Sequence, residues 1–349
     1  MPTHGNSGQG DAPARDPFAS DLVMSAAAEI FGADPRVKSV GVGRHGRGFG
    51  FVAIRNASVP VRLAQVKLIS EYRGFPVAFV DSDRDPETLV KLLQTGPGGP
   101  TTAGTVLEQS QHRPVVCGLE VQNYDDDERT GVLATGYMTV GSVGCMVRLS
   151  SGNLGFLSNN HVVAGENRGV KGKDRILQAG GGTISTGAQV GFLFDFVSLK
   201  PSPPGATLAS GTAILNDADA GAVEATSADQ YKQRYIASRK LPTPSGTADA
   251  RPGDKVFKVG RTTGLTRGEV TQAATIIGPI PYAPGLCWFR RSFVIQGENG
   301  TPFADHGDSG SAIVRDDGKV VGLLFAGNGQ QTWACRIDDV LQSLNCRVL

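Results

Sequence analysis

The sequence predicts a mainly β protein, built on an antiparallel barrel or a pair of barrels with a short C-terminal helix, and preceded by a small α+β domain. From residue 114 onward, short apolar runs are separated by turn residues: Gly141 to Leu149, Gly155 to Ser158, Ala188 to Leu199, Asp254 to Val259, Gly268 to Ile277, Phe293 to Gln296, Ser311 to Val314 and Lys319 to Phe325. Many short strands with frequent turns are how barrels read in sequence. Composition agrees, because 47 of 349 residues are glycine while aromatics make up only 7%. The region before residue 114 has a different pattern, in which helical and strand periods alternate.

In chain order, residues 1–18 are Gly, Ser, Pro, Ala and Asp without periodicity, and read as a disordered tail. Leu22, Val23, Ala26, Ala27 and Ile30 recur at helical spacing, predicting a helix over 19–31 that Gly32 stops. Val37 to Val42 and Phe49 to Ile54 read as strands around the turn Gly46-Arg47-Gly48, and Phe75 to Val80 as a third. Val61 to Tyr72 reads as helical, and Asp85-Pro86-Glu87 as the cap and first turn of a short helix ending at Leu93. The small domain therefore covers 19–94. Residues 95–113, rich in Gly, Pro and Thr, read as a linker to a second domain over 114–349. Ile337, Val340, Leu341 and Leu344 give the closing helix.

Composition narrows the function. With 40% hydrophobic and 19% charged residues the chain reads as a globular protein, and a net charge of +1 gives no electrostatic case for nucleic acid. No apolar run approaches the roughly 20 residues of a membrane span, and no basic region followed by an apolar core opens the chain, so a cytoplasmic location is expected. Cys117, Cys145, Cys287, Cys335 and Cys346 are odd in number and widely spread, with no CxxC pair. They predict neither a disulfide framework nor a structural metal, and no cofactor is implied.

The chemistry concentrates at Gly307-Asp308-Ser309-Gly310-Ser311, followed by the apolar run Ala312-Ile313-Val314. A serine between two glycines suggests a tight turn that presents one hydroxyl, with backbone N–H groups free to converge beside it. A plain β-turn would read the same way. A serine hydroxyl needs a base, and the base an orienting partner. Of five histidines, His4 lies in the tail, His45 beside a hairpin turn, His112 in the linker, and His306 on the serine's own turn. His161 follows the strand Gly155-Phe156-Leu157 in Ser158-Asn159-Asn160-His161-Val162-Val163-Ala164. A strand end is where a base can face a cleft, although a lone histidine can equally be a hydrogen-bonded structural residue.

Gly307-Asp308-Ser309-Gly310 resembles the nucleophile signature of trypsin/chymotrypsin-clan serine proteases, and the His161 segment resembles the general-base motif of their bacterial members. Gly260-Arg261-Thr262-Thr263-Gly264 resembles a hairpin in the second barrel of the α-lytic branch. The resemblance spans about 114–345 and implies the chymotrypsin fold of two six-stranded-type antiparallel β-barrels. It further implies Ser309 as nucleophile, His161 as general base and acid, and backbone N–H groups of Gly307 and Ser309 as the oxyanion hole. The clan's chain order puts the orienting acid between histidine and serine. Asp219, in Asp219-Ala220-Gly221-Ala222-Val223, fits the family's form, and Asp217 is the alternative. Phe303 and Ala304 fall near the primary pocket, and Phe325-Ala326-Gly327 matches the strand that pairs with substrate. No acid stands six residues before Ser309, so uncharged side chains are expected to be preferred over Lys or Arg. The implied activity is a serine endopeptidase acting on polypeptides through an acyl-enzyme. The rival reading is a silent pseudo-protease that binds peptides or proteins. The N-terminal domain is expected to be a pro-segment, a regulatory module that holds the enzyme latent, or an oligomerisation domain.

Overall fold

The computed structural model describes residues 16–62, 66–67, 69–94, 106–178 and 188–349. Beyond residue 114 the chain forms two six-stranded antiparallel barrels and a short closing helix. In the second barrel the strands run in the order Gly285–Gly297, Gln331–Arg336, Val320–Gly327, Ala312–Arg315, Lys255–Gly260, Gly264–Tyr282. The ring closes because Gly264–Tyr282 pairs back onto Gly285–Gly297. Closure gives each strand of the ring a partner on both sides over part of its length, which limits edge-to-edge association. Val320–Gly327 is buried along its whole length, consistent with the near-continuous apolar run Val320 to Phe325 where strict alternation would otherwise be expected.

The first barrel closes through one bent strand. Tyr137–Ser142 pairs with Glu120–Asn123, and its continuation Met146–Arg148 pairs with Leu154–Ser158. The ring continues through Gly221–Ala225, Gln189–Phe196 and Arg175–Leu177 back to Glu120–Asn123. Helix Ile337–Ser343 follows the last barrel strand directly and buries Ile337 and Val340.

The N-terminal helix forms over Ser20–Ala33 and buries Leu22, Val23, Ala26, Ala27 and Ile30, the residues whose spacing predicted it. They pack on Val40, Val42, Phe51 and Ala53, and the same cluster reaches Ile276 and Trp288 of the second barrel. Strand Val37–His45 pairs antiparallel with the far end of Gly264–Tyr282, Ser39 opposite Ile277, so the N-terminal strands extend the barrel's sheet.

Two expected helices do not appear among the described residues. Over 61–72 the described residues contain no helix, and Glu71–Tyr72 is a short strand paired with Phe75–Ser82. Over 85–93 the chain is extended, as strands Glu87–Thr88 and Lys91–Gln94. Pro86 and Glu87 suit a helix start, but Thr88 and Val90 are β-branched, and two barrel edges offer backbone partners that an isolated helix of nine residues lacks. The tail lies outside the described residues up to residue 15, as do residues 95–105 of the expected linker.

A buried carboxylate gives the fold a pH dependence. Asp127, on the short helix Tyr124–Arg129, is buried and accepts the Thr139 N–H at 2.8 Å. Burial pushes its carboxyl up to about 6, against the Thr139 hydrogen bond and with Asp126 nearby adding to the rise. The folded state then holds a proton that the unfolded chain releases near pH 4, so this group's contribution is fully present below pH ~4 and is lost as pH rises through about 6. Asp127→Asn keeps an acceptor for Thr139. It should melt several degrees above wild type at pH 7.5 and close to it at pH 4; an unchanged gap between the two pH values would refute the assignment.

Candidate active site

His161 and Asp219 are brought together by neighbouring strand ends. Leu154–Ser158 runs into the single-turn helix Asn160–Val163, which carries His161. Asp219 immediately precedes Gly221–Ala225, and Ser158 lies opposite Gly221 across the ladder. His161 Nδ1 is 2.5 Å from Asp219 Oδ2, and the His161 backbone N–H donates to Asp219 Oδ1 at 3.3 Å. Both side chains are fully buried. Asp217, the alternative acid, instead pairs with Arg290 at 2.8 Å on the surface.

The Asp219 carboxylate is held from several sides. Tyr282 donates its hydroxyl to Oδ2 at 2.8 Å, Asn159 Nδ2 donates to the Asp219 carbonyl at 2.6 Å, and the Asp219 N–H reaches Cys335 Sγ at 3.3 Å. Burial, with Asp219 close by, holds the Tyr282 phenol well above its usual range, so it remains a donor. Nothing in the sequence marks Tyr282, which reaches the site only because the long hairpin folds over it.

Ser309 sits in the turn before Ala312–Arg315, on the second barrel. Its Oγ lies 3.5 Å from the Phe325 carbonyl, and the His161 Nε2 is buried without a hydrogen-bond partner among the described residues. Gly307 and Gly310 on either side have φ of +102° and +91°. A Cβ at Gly307 would stand 2.2 Å from Thr262 Oγ1, and one at Gly310 2.3 Å from Ser158 Oγ. Both conformation and space therefore require glycine. The Gly307 N–H donates to the Leu89 carbonyl at 2.5 Å.

Asp308 organises this turn. It accepts from the Thr262 and Thr263 N–H groups at 2.8 and 3.2 Å, from Thr263 Oγ1 at 2.7 Å and from the Asp305 N–H at 3.0 Å. Lys258 Nζ lies 3.1 Å from Asp308 Oδ2, and both side chains are fully buried. Burial lowers the Lys258 ammonium pKa, with Asp308 opposing that shift. The Gly260–Gly264 turn thus grips the serine turn, a role the sequence did not assign it. Ser142 joins the barrels: its N–H donates to the Ser309 carbonyl at 2.7 Å, its Oγ to the Gly307 carbonyl at 2.9 Å, and it accepts the Arg261 N–H at 2.9 Å. Arg261 Nε meets Glu120 at 2.5 Å across the same interface.

Phe303, Ala304, Phe325 and Ala326 are all buried, and the first two lie in one apolar cluster with Leu89. A cavity of about 560 Å³ lies elsewhere, between the N-terminal helix and the long hairpin, where Val23, Met24, Arg251 and Arg291 are among its lining residues. Among the described residues, no group of three or more His, Cys, Asp or Glu is placed to hold a metal, and no helix is long and apolar enough to cross a membrane. All five cysteines are free thiols.

The chain is similar to bacterial trypsin/chymotrypsin-like serine proteases. A Nocardiopsis protease is 20% identical, with a TM-score of 0.45 over 67% of this chain and 98% of its own. Protease A of Thermobifida fusca is 21% identical, with a TM-score of 0.41 over 60% and 91%, and a Cellulomonas bogoriensis chymotrypsin is 18% identical, with a TM-score of 0.40 over 60% and 90%. The family described as the Nal1 C-terminal domain matches residues 246–337. No curated protein matches the chain. The double-barrel assignment rests on the strand pairing of the chain itself.

Proposed function

We propose that the protein is a serine endopeptidase in which Ser309 is the nucleophile, His161 the general base and then acid, and Asp219 the residue that fixes the imidazole. The observation that carries this reading is the fully buried contact of 2.5 Å between His161 Nδ1 and Asp219 Oδ2, with Nε2 buried and free of a hydrogen-bond partner among the described residues. An imidazole held at Nδ1 presents Nε2 to take a proton from a hydroxyl and return it to a leaving amine. The serine oxygen attacks the peptide carbonyl, the amine departs with the proton held by His161, and water hydrolyses the ester. The N–H groups of Gly307 and Ser309 would stabilise the oxyanion. With Phe303 rather than an acid six residues before Ser309, the pocket favours uncharged side chains. The preferred substrate is a polypeptide, and the N-terminal domain regulates access to the site.

The test is covalent labelling by a fluorophosphonate on three samples: the intact chain, chain cut within 95–113, and Ser309→Ala. The labelled peptide, mapped by mass spectrometry, should contain Ser309, and the alanine variant should stay unlabelled. No labelling of either serine-bearing form would favour the rival reading of a silent binding module. Dominant cleavage after Arg in peptide profiling would contradict the assigned pocket.

A further inference from the structure

Part of the N-terminal segment pairs with both barrels beside the serine turn. Thr88 pairs with Ala326 and Glu87 with Gly327, antiparallel on Val320–Gly327 of the second barrel. The Leu89 N–H donates to the Phe325 carbonyl at 3.4 Å, and the Leu89 carbonyl accepts from the Gly307 N–H at 2.5 Å. After Val90 the chain crosses to the first barrel, where Lys91–Gln94 pairs antiparallel with Tyr137–Ser142, Lys91 opposite Val140. One extended strand thus adds to an edge of each barrel, and its Leu89 carbonyl stands at the N–H beside Ser309. Main-chain pairing of this kind supplies affinity, and the side-chain pocket supplies selectivity.

The Leu89 side chain is 3% exposed and joins the cluster of Phe303, Ala304, Ile295 and Leu324. A Cβ at Gly327 would stand 2.9 Å from Leu89 Cδ1, so that glycine makes room for it. His306 adds a clamp, with Nδ1 3.1 Å from the Val90 carbonyl and Nε2 3.3 Å from Glu87 Oε1.

We propose that residues 87–94 are a tethered, substrate-like strand that closes the cleft of the intact chain, and that Leu89 occupies the primary pocket and marks the enzyme as selective for an aliphatic residue before the cleaved bond. This rests on the protease reading and names both its regulation and its substrate class. Tethering makes the competition intramolecular, with an effective concentration of about millimolar, so free peptides must displace a strand that is always nearby.

Two measurements test it, on full-length proteins whose folding is checked by melting and whose intact mass shows the chain uncut. Leu89→Gly empties the pocket, and Leu89→Asp places a carboxylate in it. Both should label at Ser309 with fluorophosphonate roughly tenfold or more faster than wild type. The second measurement needs no catalysis. A fluorescent peptide of residues 85–94 should bind Ser309→Ala/Leu89→Gly at least about tenfold more tightly than Ser309→Ala alone, and the same peptide with Leu89→Asp should not. Measurable labelling at equal rates in wild type and Leu89 variants, or equal peptide binding to both receptors, overturns the proposal. Selective peptide binding with no labelling of any form upholds the strand and removes the catalytic reading instead.

Discussion

Ser309→Ala is expected to lower peptide hydrolysis by about 10⁴-fold or more while leaving the melting temperature close to that of wild type. Among the described residues the hydroxyl makes one long hydrogen bond, 3.5 Å to the Phe325 carbonyl, so its loss removes little from the fold. Asp219→Asn should approach the same activity loss by another route. Asp219 Oδ2 meets His161 Nδ1 at 2.5 Å and accepts from Tyr282 at 2.8 Å. An amide that turns its NH₂ towards the ring would stabilise the other tautomer, with the proton on Nε2, where it cannot accept from serine. Because the two residues serve one proton transfer, the double variant should lose scarcely more than either single variant. Additive losses, or an active Asp219→Asn enzyme, would show that the buried pair is structural. Asp217→Asn supplies the control: its carboxylate meets Arg290 at the surface, and activity should hold.

The second large effect concerns stability. Asp308→Ala should destabilise the protein by about 3–5 kcal/mol, because it strands the buried Lys258 ammonium and three backbone N–H groups. Removing one member of a buried ion pair costs more than removing both. Lys258→Met with Asp308→Asn should therefore recover much of the loss, since the asparagine oxygen can still accept from Thr262 and Thr263. Chemical denaturation at neutral pH reads both variants. If Asp308→Ala melts like wild type, the pair does not hold the serine turn. If the double variant is no better than Asp308→Ala, the cost lies in the turn's hydrogen bonds and not in the uncompensated charge.

Legibility followed the range of the forces involved. The N-terminal helix was readable because Leu22, Val23, Ala26, Ala27 and Ile30 advertise their shared face at helical spacing. The barrel strands were readable from short apolar runs and turns, and the local chemistry around Ser309 and His161 could be picked out as motifs. The segment 85–93 was misread as a helix because its cap signal is local, whereas the partners that hold it extended lie on Val320–Gly327 and Tyr137–Ser142, far along the chain. Tyr282, Ser142 and Lys258 were missed for the same reason: a hydroxyl or an ammonium carries no sequence signal of the buried acceptor it will meet.

The sequence by itself determined the β-rich class, the N-terminal helix, the absence of a charge pattern for nucleic acid and the two segments that carry serine and histidine. Periodicity and turn chemistry act within a few residues, so they are written in order along the chain. Only the tertiary structure decided which carboxylate meets His161, what anchors the serine turn and what lies in the cleft. Those depend on contacts between residues dozens to hundreds of positions apart: Asp219 and Asp217 look alike two residues from each other, and only closure of the first barrel turns one inward to the imidazole and leaves the other on Arg290.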